Sequence, residues 1–585
     1  MAELLSGNAA IARGAYEAGV KVAVGYPGTP STEILENASG YKDEMYLEWS
    51  PNEKVAFEVA AAAAIGGTRS LVTMKHVGLN VAADPLMTLA YIGIEGGMVI
   101  CVADDPGMHS SQNEQDTRNY AKFARIPVFE PSDSQEAKDF VKLAIEVSEK
   151  YKTPVILRST TRVSHSRSLV ELGERQESES KGFEKNIQRW VPVPAFARQM
   201  RVKVEQRLKD LQVEAASTAA NRIEPGDKKL GIVCCGVTYQ YVKEVWPEAS
   251  ILKLGMCYPW PDELIRKFAG NVDEILVVEE LDNLVEEHLL VMGIKCRGRD
   301  VVPGIGELSA SRLQAVRAKM EGGEVAPCAY ENEDAILPGR PPVLCAGCPH
   351  RGVFYSLKKH DVVVTGDIGC YSLGAFEPLN RLDIILCMGG GISMAHGLDK
   401  GNEPKKVVGV VGDSTFFHSG ITGLLNIAYN KGNSTIIVVD NRTTAMTGHQ
   451  DHPGTGRTLM GESTVEASIE KIGAACGIKR IRVVNPNNLE ETQKAITEEI
   501  NADEPSLIIS KSPCILHDRT FVTEPLKIVE DKCVNCKACL KLGCPAIEAV
   551  DGGKPTIADV LCTGCDMCRQ VCKFGAIIGG KDEQD

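Results

Sequence analysis

Three successive α/β units with mainly parallel sheets, followed by a short cysteine-held module, are the architecture this sequence predicts. Apolar stretches of strand length alternate with helical stretches in three separate regions, which is the pattern of a sheet covered by helices on both faces. Polar, charged segments separate those regions. Eight of the 20 cysteines fall between Cys533 and Cys572, in a chain too long to depend on disulfides for its core.

At 585 residues, 43% hydrophobic and 24% charged, the chain can fill several cores. Its formal net charge of −14 gives no basic footprint, which argues against nucleic-acid binding. No apolar run reaches the roughly 18 residues that a membrane span needs, and the opening MAELLSGNAAIARG shows no charged-then-apolar leader pattern. A soluble, cytoplasmic enzyme is expected.

The first region, residues 1–185, has strand candidates at 21–25, 70–74, 98–102 and 154–157. Residues 170–220 are rich in Glu, Arg, Lys and Gln, so a linker with an exposed helix and a domain boundary are expected there, assigned to 186–225. A smaller α/β unit follows over 226–325, read from KLGIVCCGVTYQYVKEVW, ASILKL and DEILVVEE. After a loop-like stretch, APCAYENEDAILPGRPP, a third unit within 326–524 has strand candidates at 362–365, 384–388, 407–411, 435–439 and 506–510. Residues 525–585 form the compact tail. The scattered Cys101, Cys234, Cys235, Cys257, Cys296, Cys328, Cys387 and Cys476 read as small buried hydrophobes.

The tail carries the most specific signal. Its cysteines run Cys533-x2-Cys536-x2-Cys539-x4-Cys544-Pro545 and Cys562-x2-Cys565-x2-Cys568-x3-Cys572, nearly the spacing of bacterial two-cluster ferredoxins. In that arrangement the fourth cysteine of each run ligates the other cluster. One 4Fe-4S cluster is therefore assigned to Cys533, Cys536, Cys539 and Cys572, and the second to Cys544, Cys562, Cys565 and Cys568. The x4 spacing before Cys544 and Lys573 in place of proline depart from the usual pattern.

In the third region Gly412-Asp413-Ser414 is followed, 25 residues later, by Asp440-Asn441, each after a predicted strand. This resembles the G-D-G-x(24–27)-N-N motif of thiamine diphosphate enzymes, with Ser414 replacing a glycine. A diphosphate held through Mg2+ needs hard oxygen ligands; Asp413, Asn441 and the carbonyl of Thr443 are the candidates, and a helix beginning near His418 is expected to aim N–H groups at phosphate. Asp367-Ile368-Gly369-Cys370 and the glycines around Gly390 also follow strands, where backbone near a cofactor favours glycine.

The phrases GNAAIARGAYEAGV, YPGTPST, NEKVAFEVAAAAAIGG, LCAGCPHRG, GDIGC, MTGHQDHPGTG and SPC, in this order over essentially the whole chain, resemble the 2-oxoacid:ferredoxin oxidoreductases. Within them the chain is most similar to large (alpha) subunits of the indolepyruvate type. The resemblance implies a pyrimidine-binding domain, a transketolase C-terminal-like domain, a diphosphate-binding domain and a two-cluster ferredoxin domain, in that order. It implies oxidative decarboxylation of aryl 2-oxoacids with coenzyme A to arylacetyl-CoA and CO2, electrons passing through the clusters to ferredoxin. It also implies a smaller beta subunit carrying a gamma-type domain, in a heterodimer or heterotetramer.

By the same resemblance Glu53 is the carboxylate at N1′ of the aminopyrimidine, with Glu58 the alternative, and Thr29 is the substrate-side threonine. Lys75 and His76 follow a strand where the family places a cofactor-facing loop; the alternative is a solvated loop. His109, Ser110, Ser111, Gln112, Gln115 and Asp116 form a polar loop placed near the active site by resemblance alone. Gly369, Cys370, Gly390, Gly412, Asp413, Ser414, Asn441, Thr443 and Met446 are the remaining cofactor candidates. Cys345, Cys348, Cys370 and Cys514 either ligate a third 4Fe-4S cluster, as in pyruvate members of the family, or are structural thiols. Three alternatives stay open: another 2-oxoacid such as pyruvate, a non-oxidative thiamine decarboxylase, and an iron–sulfur electron-transfer subunit whose thiamine site has decayed at Ser414.

Overall fold

The computed structural model describes residues 2–180, 182–323, 341–401 and 403–579. Its contacts divide the chain into two compact units, Met1–Leu337 and Pro338–Asp585. Cys328 and most of the APCAYENEDAILPGRPP stretch, including the expected boundary at 325/326, lie outside the described residues.

In the first unit a seven-stranded sheet runs in the order Met256–Tyr258, Val128–Phe129, Val155–Thr160, Met98–Asp104, Ser70–Lys75, Val22–Gly25, Tyr46–Trp49. Five successive pairings are parallel and only Met256–Tyr258 pairs antiparallel. The central strands are buried throughout, as continuous Val, Ile, Leu and Met runs in a sheet covered on both faces should be. Tyr46–Trp49 and Val128–Phe129 were not among the predicted strands; YLEW alternates and lies at the sheet edge, and a two-residue strand leaves no periodicity to read.

The second sheet of this unit has the order Glu274–Val278, Asp227–Cys235, Ala249–Leu254, Arg222–Glu224. It is not an isolated domain, because the next strand, Met256–Tyr258, crosses to the edge of the first sheet and joins it. The expected linker is also structured. Arg167–Glu171 pairs antiparallel with Ala2–Ser6, and Pro194–Ser217 is a 24-residue helix that buries Met200, Val204, Leu211 and Ala215. The spacings of 4, 7 and 4 residues put one narrow apolar stripe on an otherwise charged helix, which is why composition alone read it as exposed.

A buried ion network joins the two sheets. Arg118 pairs with Asp116 at 2.6 Å and Glu279 at 2.8 Å, and donates to the carbonyls of Glu280 and Asp282. Arg158 pairs with Asp104 at 2.6 Å and Glu130 at 2.5 Å. Burying two guanidiniums is tolerable only because each is surrounded by carboxylates.

The second unit centres on a six-stranded parallel sheet in the order Ile384–Ile385, Val363–Gly366, Val407–Gly412, Thr435–Asp440, Ser506–Lys511, Arg480–Val484. The chain leaves Val363–Gly366 for one side and returns on the other at Val407–Gly412, so the strand order reverses between these two parallel strands. Open α/β sheets bind ligands at the carboxyl ends of strands flanking such a point. The strand expected at 384–388 is two residues long, because Gly389 begins a turn into the helix Gly390–Lys400. The helix expected near His418 starts at Asp413 and continues through Phe416–Gly420 into Ile421–Tyr429. The tail packs in this unit as two small antiparallel pairs, Lys527–Ile528 with Ile577–Ile578 and Ile547–Glu548 with Thr556–Ile557. Among the described residues no helix is long and apolar enough to cross a membrane.

Candidate active site and thiol sets

In the first unit the candidate residues gather at the carboxyl ends of the parallel strands. Asn52 caps the helix Glu53–Ile65 by accepting from the Val55 N–H, which leaves Glu53 as the first helical residue. The Glu53 side chain is buried against Gly78, where a Cβ would lie 2.6 Å from its Oε1. Glu58, by contrast, is exposed and paired with Lys54.

Lys75 and His76 are not a solvated loop. Lys75 ends the strand Ser70–Lys75 and His76 opens the helix His76–Val81; both are buried. Burial pushes Lys75 down to about 8, against the attraction of Asp105 at 3.9 Å. Lys75 donates to the Ser110 carbonyl at 2.6 Å, and the Ser110 hydroxyl reaches the Thr29 carbonyl at 3.2 Å. Burial disfavours the Asp105 carboxylate, but donors from Ser111, Thr161 and the Ser110 N–H outweigh it and hold the group down at about 2. His76 is lowered by burial; its Nε2 lies 3.2 Å from the Asn113 carbonyl and its buried Nδ1 has no hydrogen-bond partner.

The 109–116 loop divides. Ser110 and Ser111 join the Lys75 cluster, whereas His109 faces Glu307 at 3.3 Å, Gln112 is exposed and Gln115 bonds to Asn113. Asp116 belongs to the buried ion network, with its oxygens bound by Arg118, and is a framework residue.

In the second unit Asp413, Asp440 and Asn441 lie at the ends of adjacent strands, all buried. Asp413 accepts from the Arg442 N–H at 2.8 Å and meets His452 Nε2 at 3.2 Å. Burial opposes its ionisation, yet His452 and the Ser414 N–H, which donates at 2.8 Å, hold it below the usual carboxylate range. Burial and the neighbouring Asp413 push Asp440 up to about 7. Asn441 reaches His350 Nε2 at 3.5 Å, and burial drives that imidazole down to about 4. Thr443 is buried with its hydroxyl unpartnered, while Met446 is half exposed. Ser414 accepts a hydrogen bond from Thr444 at 3.0 Å, so the departure from glycine gives a hydroxyl that the next loop uses.

Asp367 lies at the point where the strand order reverses. Its Oδ2 accepts from the Gly389 N–H at 2.8 Å and Tyr371 donates to its other oxygen, and burial pushes it well above the usual range. Gly389 has φ +77°, which only glycine adopts without strain, and this turn opens the helix at Gly390. Gly369 and Gly412 both pack on the Tyr371 ring, where a Cβ would come within 2.3 and 2.8 Å of it.

Each of the three cysteine sets is brought together. Cys533, Cys536, Cys539 and Cys572 line one cavity with Ile528, Ala576 and Ile577. Cys565 and Cys568 lie beside Cys544 and Cys562; burial first, then these neighbours, push the Cys565 thiol up to about 11 and the Cys568 thiol above its ordinary value, and the Leu526 N–H points at the Cys562 sulfur at 3.4 Å. Burial first, then neighbouring thiols, push Cys345, Cys348 and Cys370 up; Cys514 lies beside Cys345 and Cys370, and its N–H donates to the Asn441 carbonyl at 2.9 Å. Among the described residues no group of three or more His, Cys, Asp or Glu side chains is arranged to hold a single metal ion. Of the scattered cysteines, Cys101, Cys234, Cys235, Cys257 and Cys476 are buried as expected and Cys296 is partly so, but Cys387 is exposed.

Residues 13–221 match the family described as pyruvate flavodoxin/ferredoxin oxidoreductase, thiamine diphosphate-binding, and residues 367–510 match the C-terminal TPP-binding domain of thiamine pyrophosphate enzymes. Indolepyruvate oxidoreductase subunit IorA of Pyrococcus horikoshii is 42% identical over 98% of this chain and 96% of its own length. The subunit of the same name from Methanothermobacter marburgensis is 41% identical over the same shares. The chain belongs to the IorA family of indolepyruvate oxidoreductase subunits. It is thus a thiamine-diphosphate-dependent 2-oxoacid:ferredoxin oxidoreductase chain, and its relatives' name marks them as one subunit of a larger enzyme. A 2-oxoglutarate:ferredoxin oxidoreductase structure from Magnetococcus marinus overlays with a TM-score of 0.44 at 16% identity, over 55% of this chain and 65% of its own.

Within this IorA-family chain, sequence reasoning did not single out Asp105, His350 or His452, and it named Asp367 and Asp440 only as positions of the cofactor motifs, without a role of their own. Signals existed for all five: each lies at a strand's carboxyl end or within the phrases LCAGCPHRG and MTGHQDHPGTG.

Proposed function

We propose that the chain carries the catalytic site for oxidative decarboxylation of aryl 2-oxoacids such as indolepyruvate. Coenzyme A takes the acyl group, electrons leave through 4Fe-4S clusters to a ferredoxin, and a smaller subunit with the gamma-type domain completes the enzyme. The five-part division at 185, 225, 325 and 524 remains our reading of the domains, with the tail as the ferredoxin module.

Thiamine diphosphate, when bound, supplies the electron sink for decarboxylation. Glu53 holds and moves a proton at N1′ of the aminopyrimidine. Asp413, Asn441 and the Thr443 carbonyl offer the hard oxygens that suit Mg2+, and the nearby helix start at Asp413 favours the diphosphate. Gly369, Gly390 and Gly412 keep the backbone bare along that edge, and Met446 closes it. Lys75, steadied by Asp105 and Ser110 beside Thr29, presents a cation to the substrate carboxylate, and the next residue, His76, is the catalytic imidazole of this reading.

The observation that carries the electron-transfer half is the cavity shared by Cys533, Cys536, Cys539 and Cys572, since it joins three cysteines of one run to the last cysteine of the other. A cubane takes each thiolate on a different iron, so its ligands surround a volume and do not converge on one ion. Cys345, Cys348, Cys370 and Cys514 are neighbours beside Asn441, which supports a third cluster there.

Iron and thiamine diphosphate counted per chain, after anaerobic purification with the partner subunit, test this. About 12 iron atoms and one thiamine are expected, and about eight would remove only the third cluster. Iron without thiamine would refute the catalytic reading.

A further inference from the structure

Arg351, in the first turn of the helix His350–Leu357, is 2% exposed and among the largest fully buried side chains of the molecule. Its guanidinium spans two cysteine loops. Nη2 donates to the carbonyls of Leu344 and Cys345 at 2.8 and 2.9 Å, and Nη1 to those of Leu542 and Gly543 at 2.7 and 2.6 Å. The first pair of carbonyls belongs to the loop carrying Cys345 and Cys348, and the second to the turn before Cys544. Among the described residues no carboxylate pairs with it, so its charge is met by carbonyl dipoles alone.

A second close approach ties the Cys345–Cys348 loop to another loop of the thiol set that includes Cys544, the one carrying Cys562 and Cys565. Gly347, between Cys345 and Cys348, has φ +72°, and a Cβ there would lie 2.2 Å from the Thr563 hydroxyl, between Cys562 and Cys565. The two thiol sets therefore share a wall of backbone with one buried cation inside it.

A cluster that accepts one electron gains one unit of negative charge and no bond. A fixed cation in a poorly polarisable interior favours that reduced form, whereas a mobile surface charge would be screened. We propose that Arg351 is a positioning residue that also sets potentials: it clamps the Cys345–Cys348 loop to the Leu542–Gly543 turn and favours the reduced state of clusters held by Cys345, Cys348, Cys370 and Cys514 and by Cys544, Cys562, Cys565 and Cys568. This rests on the reading above that both sets hold clusters.

The test uses the complete enzyme carrying R351Q or R351K, with iron counted per chain and each cluster followed by electron paramagnetic resonance during a redox titration. R351Q is expected to keep its iron and to lower the reduction equilibrium constant of these two clusters about tenfold, a shift of about 59 mV to more negative potential. R351K, which keeps the charge, is expected to stay within about threefold of the unmodified enzyme, and the cluster on Cys533, Cys536, Cys539 and Cys572 is expected not to move in either variant. Full iron with unmoved potentials in R351Q would overturn the proposal, as would an equal shift in R351K. If R351Q loses iron, R351K decides: retained potentials support the proposal, and the same loss of iron overturns it. An unmodified enzyme without iron would instead refute the cluster reading on which the proposal stands.

Discussion

Replacing Gly78 by alanine should separate folding from catalysis at Glu53. The new Cβ would lie 2.6 Å from Oε1, 2.7 Å from Cγ and 2.9 Å from Cδ of Glu53. Carbon and oxygen atoms rest at roughly 3.5 Å or more, so the carboxyl must retreat by about 0.8 Å. The helix itself gains, because alanine in place of an interior glycine is worth about 1 kcal/mol, against about 1–3 kcal/mol for overpacking. The net change in stability is small. Displacing a catalytic group by about 1 Å costs on the order of 100-fold, or about 2.7 kcal/mol of activation free energy. The assay is 2-oxoacid-dependent reduction of a one-electron dye by the complete enzyme, with thiamine diphosphate content measured on the same samples. E53Q is the reference, expected to lose about 10²- to 10⁴-fold with thiamine retained. Adding G78A to E53Q should then cost little more, because the displaced group is already disabled. A G78A enzyme with full thiamine content and kcat/KM within about threefold of the unmodified protein would refute the assignment of Glu53.

Three further outcomes are expected. Lys75 is protonated in both folded and unfolded chains below about pH 8 and keeps its proton only in the unfolded chain from there to its ordinary 10.5. Stability should therefore rise by up to about 3 kcal/mol across that interval, and denaturant titrations should show this slope vanish in K75M. R118M leaves Glu279 buried without its cation and Asp116 with only Arg158 at 3.7 Å, and should cost about 3–5 kcal/mol, read as a lower denaturation midpoint; an unchanged midpoint would contradict the framework role of the network. D413N should weaken Mg2+-dependent binding of thiamine diphosphate by more than about 100-fold while iron content stays the same, measured by calorimetry and metal analysis.

The tail shows how much spacing alone can determine. Eight cysteines in two nearly matching runs predict that Cys572 joins the first three and Cys544 the second three, and in the structure Cys572 lines one cavity with Cys533, Cys536 and Cys539. The strand cores were equally readable: Ser70–Lys75, Met98–Asp104, Val407–Gly412, Thr435–Asp440 and Ser506–Lys511 are unbroken or nearly unbroken apolar runs, the mark of a doubly covered parallel sheet. Asp413 and Asn441 were read from their resemblance to the thiamine diphosphate motif, and the structure puts both, buried, at the ends of adjacent strands.

What the sequence could not determine depends on contacts between residues far apart in the chain. Nothing in SLVTMKHVG says whether Lys75 is solvated or buried; the approach of Ser110 and Asp105, 35 and 30 positions on, decides it. The charged helix Pro194–Ser217 is packed because its four apolar positions meet the neighbouring helices, a fact its composition hides. Asp116 and Ser110 stand six residues apart in one polar loop, yet the first is taken by Arg118 and the second by Lys75. Likewise Arg351, one residue in the phrase LCAGCPHRG, gains its place between two cysteine loops from carbonyls some 190 positions away. Local pattern fixes where strands end and which residue types stand there. Burial and partnership, which set charge states and roles, exist only once the chain has closed on itself.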